Sequence, residues 1–62
     1  MKINKVQQAK TAQEARNYAI EWQNWQSDQM LSLGELSEWQ VVFVELAEKF
    51  NLKEEFNENG II

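Results

Sequence analysis

The sequence contains no cysteine, no histidine and no proline. Without cysteine no disulfide can staple the fold and no thiolate can hold zinc. A secreted disulfide scaffold is therefore excluded, and a reducing cytoplasm is compatible. Without histidine the commonest metal ligand and the commonest general base are both missing. Without proline, and with only two glycines, little interrupts a long helix. No apolar run approaches the roughly 18 residues of a membrane span. The stretch MKINKVQQAK has no apolar core of the kind a signal peptide uses, so a cytoplasmic protein is expected. There is no glycine-rich loop or metal-ligand cluster from which to build a pre-organised site, so we expect no enzyme, no cofactor and no metal.

What is present suits a small globular domain. Apolar residues make up 44% of the 62 positions and charged ones 26%, which is a folded rather than a disordered composition. A domain of this size buries only about 60% of the surface its unfolded chain exposes. Large side chains help such a core, and three Trp, three Phe and one Tyr are available. Charge is uneven. Residues 1–16 carry Lys2, Lys5, Lys10 and Arg16 against Glu14, whereas the rest carries Lys49 and Lys53 against nine acids. The outline is an acidic body with a short basic arm.

Three segments carry helix-start signals. Thr11 precedes Glu14, Ser32 precedes Glu35 and Asn51 precedes Glu54, each by three residues. In that spacing the first side chain accepts from an orphan backbone N–H and the glutamate reaches back. Leu31 and Leu36 flank the second start as a hydrophobic staple. The first helix is predicted over 12–29, with Ala15, Tyr18, Ala19, Trp22 and Trp25 on one face. The second is predicted over 33–50, with Leu36, Trp39, Phe43, Leu46, Ala47 and Phe50 on one face, broadened by Val42. Asn51 then suits a left-handed helix end, and a short third helix is predicted over 52–58. Gly60 suits the closing cap, with Ile61 folding back on Phe56.

A turn of about four residues between two long helices makes them nearly antiparallel. The expected fold is all-α, an antiparallel two-helix hairpin closed by a short third C-terminal helix. Residues 11–62 form this single helical domain. Residues 1–10, with a weak alternation at Ile3 and Val6, are expected to be a flexible basic arm or an extension of the first helix.

The stretch ELAEKFNLKEEF (Glu45 to Phe56) has the outline of a DNA-reading helix-turn-helix. Its second helix, however, carries Glu54, Glu55 and Glu58 against Lys53 alone. DNA binding rests on neutralising phosphates with Lys and Arg, so a helix corner in a small bundle is the better reading. Glu55, Asn57, Asn59, Gly60 and Ile62 match positions one, three, five, six and eight of a calcium loop. The match stops short of the acid that loop needs at position twelve, and helix termination accounts for Gly60. The glutamates lie on polar faces and read as a solvated acidic surface.

Tyr18, Trp22 and Trp25 supply much ring area for one helix, and Trp22 is expected to pack against Trp39 and Phe43. Tyr18 and Trp25 sit at the stripe's edges, while Ile20, Val41 and Val44 fall off it. Several exposed apolar residues together mark a partner or self-association seam. Tyr18, Ile20, Trp25, Val41 and Val44 are thus the candidate contact residues. The alternatives are a nucleic-acid-binding protein using Lys2, Lys5, Lys10 and Arg16, and a self-associating homodimer, since small helical domains gain stability by pairing.

Residues 19–62 also resemble a group of small uncharacterised proteins encoded in phages and prophages of Gram-positive bacteria. The residues that carry the resemblance are Glu21, Trp22, Gln23, Trp25, Leu31, Ser32, Gly34, Glu35, Leu36, Trp39 and the run Glu58 to Ile62. It implies a bacterial cytoplasmic setting and a small accessory role, with a host or phage protein as partner. It assigns no catalytic residue.

Overall fold

The computed structural model describes residues 1–62 and contains four helices and no strand. They are α1 (Ile3–Gln7), α2 (Ala12–Gln26), α3 (Leu33–Phe50) and α4 (Lys53–Glu58). The long α3 is the central element, and α1, α2 and α4 each pack against it. No helix is long and apolar enough to cross a membrane.

The local chemistry explains most boundaries. Thr11 caps α2 by accepting from the Glu14 N–H at 3.1 Å. The Glu14 carboxylate reaches back one residue beyond the cap, to the Lys10 N–H at 3.1 Å. Ser32 and Glu35 form the full reciprocal box at the start of α3. Asn51 ends α3 at φ 58°, ψ 47°, a left-handed conformation that asparagine tolerates better than most residues. It makes no side-chain cap for α4, whose N-cap position is Leu52. Gly60 is likewise left-handed at φ 73°. The Ile61 N–H then bonds the Phe56 carbonyl at 2.8 Å, and Ile61 joins the core.

Ser32→Ala removes the side-chain acceptor from this α3 start. The expected loss is about 1 kcal/mol, read as a lower urea midpoint with unchanged slope. An unchanged midpoint would show that the cap carries none of the helix's stability.

Besides the missing Asn51 cap on α4, the fold departs from the sequence expectation at two places. First, α2 stops at Gln26, three residues early. Asp28 and Gln29 donate to the carbonyls of Trp25 and Gln26 in tight i→i−3 turns, and the Ser27 hydroxyl donates to the Asn24 carbonyl at 2.9 Å. Side-chain bonds of this kind compete with helix continuation. Second, residues 1–10 are neither a flexible arm nor an extension of α2. Ile3–Gln7 form the separate helix α1, and Val6 within it and Ala9 just after it are each only 1% exposed. Thr11, extended at φ −134°, ψ 161°, breaks the chain between the two helices.

One cluster of thirteen apolar residues from all four helices and the joining segments forms the core. Its centre is aromatic. Phe43 lies 5.4 Å from Trp22, 6.1 Å from Trp39 and 6.1 Å edge-on from Phe56, centroid to centroid. Such tilted, stacked and edge-on pairs each add about 0.5–1.5 kcal/mol beyond burial. The indole N–H of Trp22 is buried with no acceptor, a cost of about 1–3 kcal/mol set against that packing.

Candidate functional site

The structure divides the candidate contact residues among separate surfaces. Ile20, 58% exposed, borders a narrow groove of about 150 Å³ between α2 and α4. That groove is bridged by the Arg16–Glu55 ion pair at 2.7 Å. The Gln23 amide also ties the helix end there, donating to the Asn59 carbonyl at 2.8 Å. Tyr18 is half-buried and lines a groove of about 660 Å³ with Lys2, Lys5, Val6 and Glu21. Val44 is half-buried on α3. These positions do not make one seam with Ile20.

Trp25 on α2 and Val41 on α3 line two separate depressions beside α1. Trp25 is half-buried and packs on Trp39 with centroids 5.8 Å apart and planes tilted by 59°. It is thus part of the packing and part of the surface. The two rings line a groove of about 490 Å³, with Ile3 on the α1 bank and Glu35 and Glu38 on the α3 bank. Ile3 and Glu38 also line a second groove of about 270 Å³, whose other walls are Gln7, Val41 and Val42. Ile3 and Glu38 thus stand between the two depressions and line both. Val41 is 56% exposed in the second.

Glu35, Glu38 and Val41 succeed one another at intervals of three along α3, which places them in one row on the helix surface. That spacing is visible in the sequence. The docking of α1 is what makes the row a wall of the two depressions, and no local signal announces that docking. Sequence reasoning therefore misses Ile3 and Glu38 as site residues. It also misses Met30 and Leu33, two exposed apolar residues at the turn between α2 and α3.

The basic residues are dispersed by comparison. Lys2 and Lys5 share the groove beside Tyr18. Lys10 is exposed at the start of α2. Arg16 is held by Glu55 on the α2–α4 side. No group of three or more acidic side chains is gathered so as to hold a metal ion. No family model, curated protein or solved structure matches the chain.

Proposed function

We propose that this protein is a non-catalytic protein-interaction module, acting in the bacterial cytoplasm as a phage or prophage accessory factor on a host or phage protein. The observation that carries the reading is the pair of neighbouring depressions beside α1, one lined by half-buried Trp25 and the other by exposed Val41. Aromatic anchors held by a rigid element, with apolar neighbours, are the usual centre of a protein contact. We read α2 and α3 as an antiparallel hairpin closed by α4. The ring order supports this, since Trp25 meets Trp39 while the earlier Trp22 also meets the later Phe43.

The test is capture of partners by tagged protein from bacterial lysate, with and without nuclease, using wild type and Val41→Arg. Val41 is a surface position, so its replacement changes stability by no more than about 0.5 kcal/mol. The same protein should be recovered in both nuclease arms, and Val41→Arg should reduce it about tenfold while helicity is unchanged. Recovery that needs nucleic acid would favour Lys2, Lys5 and Lys10 instead, and equal capture by Val41→Arg would remove the depressions beside α1 from the reading.

Association with a second copy is the competing reading. It is supported by Met30 and Leu33, both exposed at the turn between α2 and α3. Concentration-dependent mass by sedimentation, lost in Leu33→Gln and retained in Val41→Arg, would favour it.

A further inference from the structure

We propose that the seat of α1 on α3 is an exchange site, which also takes α1 of a second copy of this chain to make a domain-swapped dimer. This dimer is independent of the interaction reading above.

Three observations converge on it. The first is how lightly α1 is held. Its anchors are Val6 and, just past the helix, Ala9, with Ile3 half-buried beside them. The ion pairs and side-chain hydrogen bonds that cross between helices tie α4 and its end to α2 and α3, and none reaches α1. Three depressions, of about 660, 490 and 270 Å³, border α1, so it lies in a seat that it does not fill.

The second is the break after it. Residues 3–26 contain neither proline nor glycine, and Gln7, Gln8, Ala9 and Lys10 all favour helix. The local preference is one unbroken helix. Thr11 interrupts it by standing extended at φ −134°, ψ 161°. Its hydroxyl accepts from the Glu14 N–H, and the Glu14 carboxylate accepts from the Lys10 N–H, both at 3.1 Å. Those two bonds and the docking of α1 are what hold the break.

The third is phase. Val6 precedes Ala15 by nine residues, which in an unbroken helix is about two and a half turns. Ala15 is 0% exposed on the core side of α2, so Val6 would lie on the opposite side. The unbroken helix cannot return Ile3 and Val6 to its own α3. It presents them outward, on a segment reaching about 13 Å beyond the start of α2. A second copy whose α1 has likewise left offers the seat this sequence already fits. The exchanged contacts repeat those within one chain, and a two-fold arrangement fills both seats at once. Only the backbone of residues 8–11 differs between the two forms. A foreign helix would have to reproduce the same contacts with other side chains.

The test refolds the full chain from urea at about 1 mM, where a segment from another molecule competes with one on a short tether, and reads mass by sedimentation. Wild type should form a dimer. In a mixed labelled and unlabelled sample, isotope-filtered NOEs should link the Ile3 methyls of one copy to the Val41 and Val42 methyls of the other, residues that line one depression. Thr11→Ala removes a cap that the unbroken helix does not use. A cap is worth about fivefold and the dimer has two hinges, so its dissociation constant should fall about 25-fold. Ala12→Pro should act the other way. Ala12 is the first helical residue of α2, where proline is favoured, and Thr11 already has the extended backbone that proline requires before it. The break is kept, the unbroken helix is blocked, and the chain should stay monomeric with unchanged helicity. Thr11→Ala and the NOEs decide the matter even where Ala12→Pro disturbs folding. Wild type and Thr11→Ala both monomeric, a dimer unaffected by Ala12→Pro, or a dimer without NOEs across the seat would each overturn the inference. A dimer lost in Leu33→Gln would overturn it too, and would assign association to the turn between α2 and α3.

Discussion

Phe43→Ala is expected to remove a large share of the stability of this protein. Phe43 is 0% exposed and is the one ring that meets Trp22, Trp39 and Phe56 together. It therefore joins α2, α3 and α4 at a single point. Truncating a buried phenylalanine costs about 3–5 kcal/mol through lost transfer energy and the cavity left behind. A chain of this length has a total stability of only about 3–9 kcal/mol. The substitution thus takes from about a third to all of what holds the fold. Three tryptophans, two of them beside the cavity, report the change directly by fluorescence. With a urea slope of about 1 kcal/mol per molar, the midpoint should fall by about 3–5 M. The variant should then be largely unfolded at 37 °C. A loss below about 1.5 kcal/mol would show that neighbouring rings collapse into the space and that Phe43 is not the centre of the core. Phe43→Leu, which keeps most of the volume, should recover much of the loss.

The same residues show why α3 is legible in the sequence. Its start is written in Ser32 and Glu35, its stripe in Leu36, Trp39, Phe43, Leu46 and Ala47, and its end in Asn51. Each signal is local and acts within one or two turns. The left-handed turn at Gly60, with Ile61 returned to the core, is legible for the same reason.

The N-terminal helix is not legible in this way. It has five residues and no side-chain cap. Its apolar positions Ile3 and Val6, with Ala9 just beyond its end, recur every three residues. Without the small Ala9 counted as core, Ile3 and Val6 alone resemble an irregular alternation. Helices this short form through tertiary packing rather than propensity, and that packing is against α3, far along the chain. The depressions beside α1 inherit the same opacity. Trp25 and Val41 stand out in the sequence as apolar residues at the stripe's margin, but Glu38 looks like any solvated carboxylate. Only α1, which brings Ile3 beside it, turns it into a wall. Hydrophobicity alone groups Ile20 with Val41. The helix packing instead directs Ile20 to the α2–α4 side and Val41 to the α1–α3 side.

Val6→Asp tests whether α1 belongs to the core, and its effect should be large. Val6 is 1% exposed, so replacement forfeits about 1.5–3 kcal/mol of apolar burial. It also places a carboxylate where no cation is buried to meet it, and buried carboxyl groups resist ionisation by up to several pH units. The docked state would hold this aspartate with its pKa raised above the unfolded value near 4. A raised folded-state value means that the docked form is least penalised below about pH 4. The penalty then grows as pH rises toward neutrality. Val6→Asn, which loses the same packing without a titrating group, should show no such dependence.

At neutral pH the cheapest escape is for α1 to leave its groove while α2, α3 and α4 stay together, since sub-global opening costs less than complete unfolding. The expected pattern is loss of amide protection from Val6 to Ala9, greater solvent exposure of Val42 and Trp39, and a lower urea midpoint. Protection at the centre of α3 should persist in part. A chain whose first ten residues were a free arm would show none of this. Stability unchanged within about 0.5 kcal/mol, with full protection elsewhere, would separate α1 from both the core and the site.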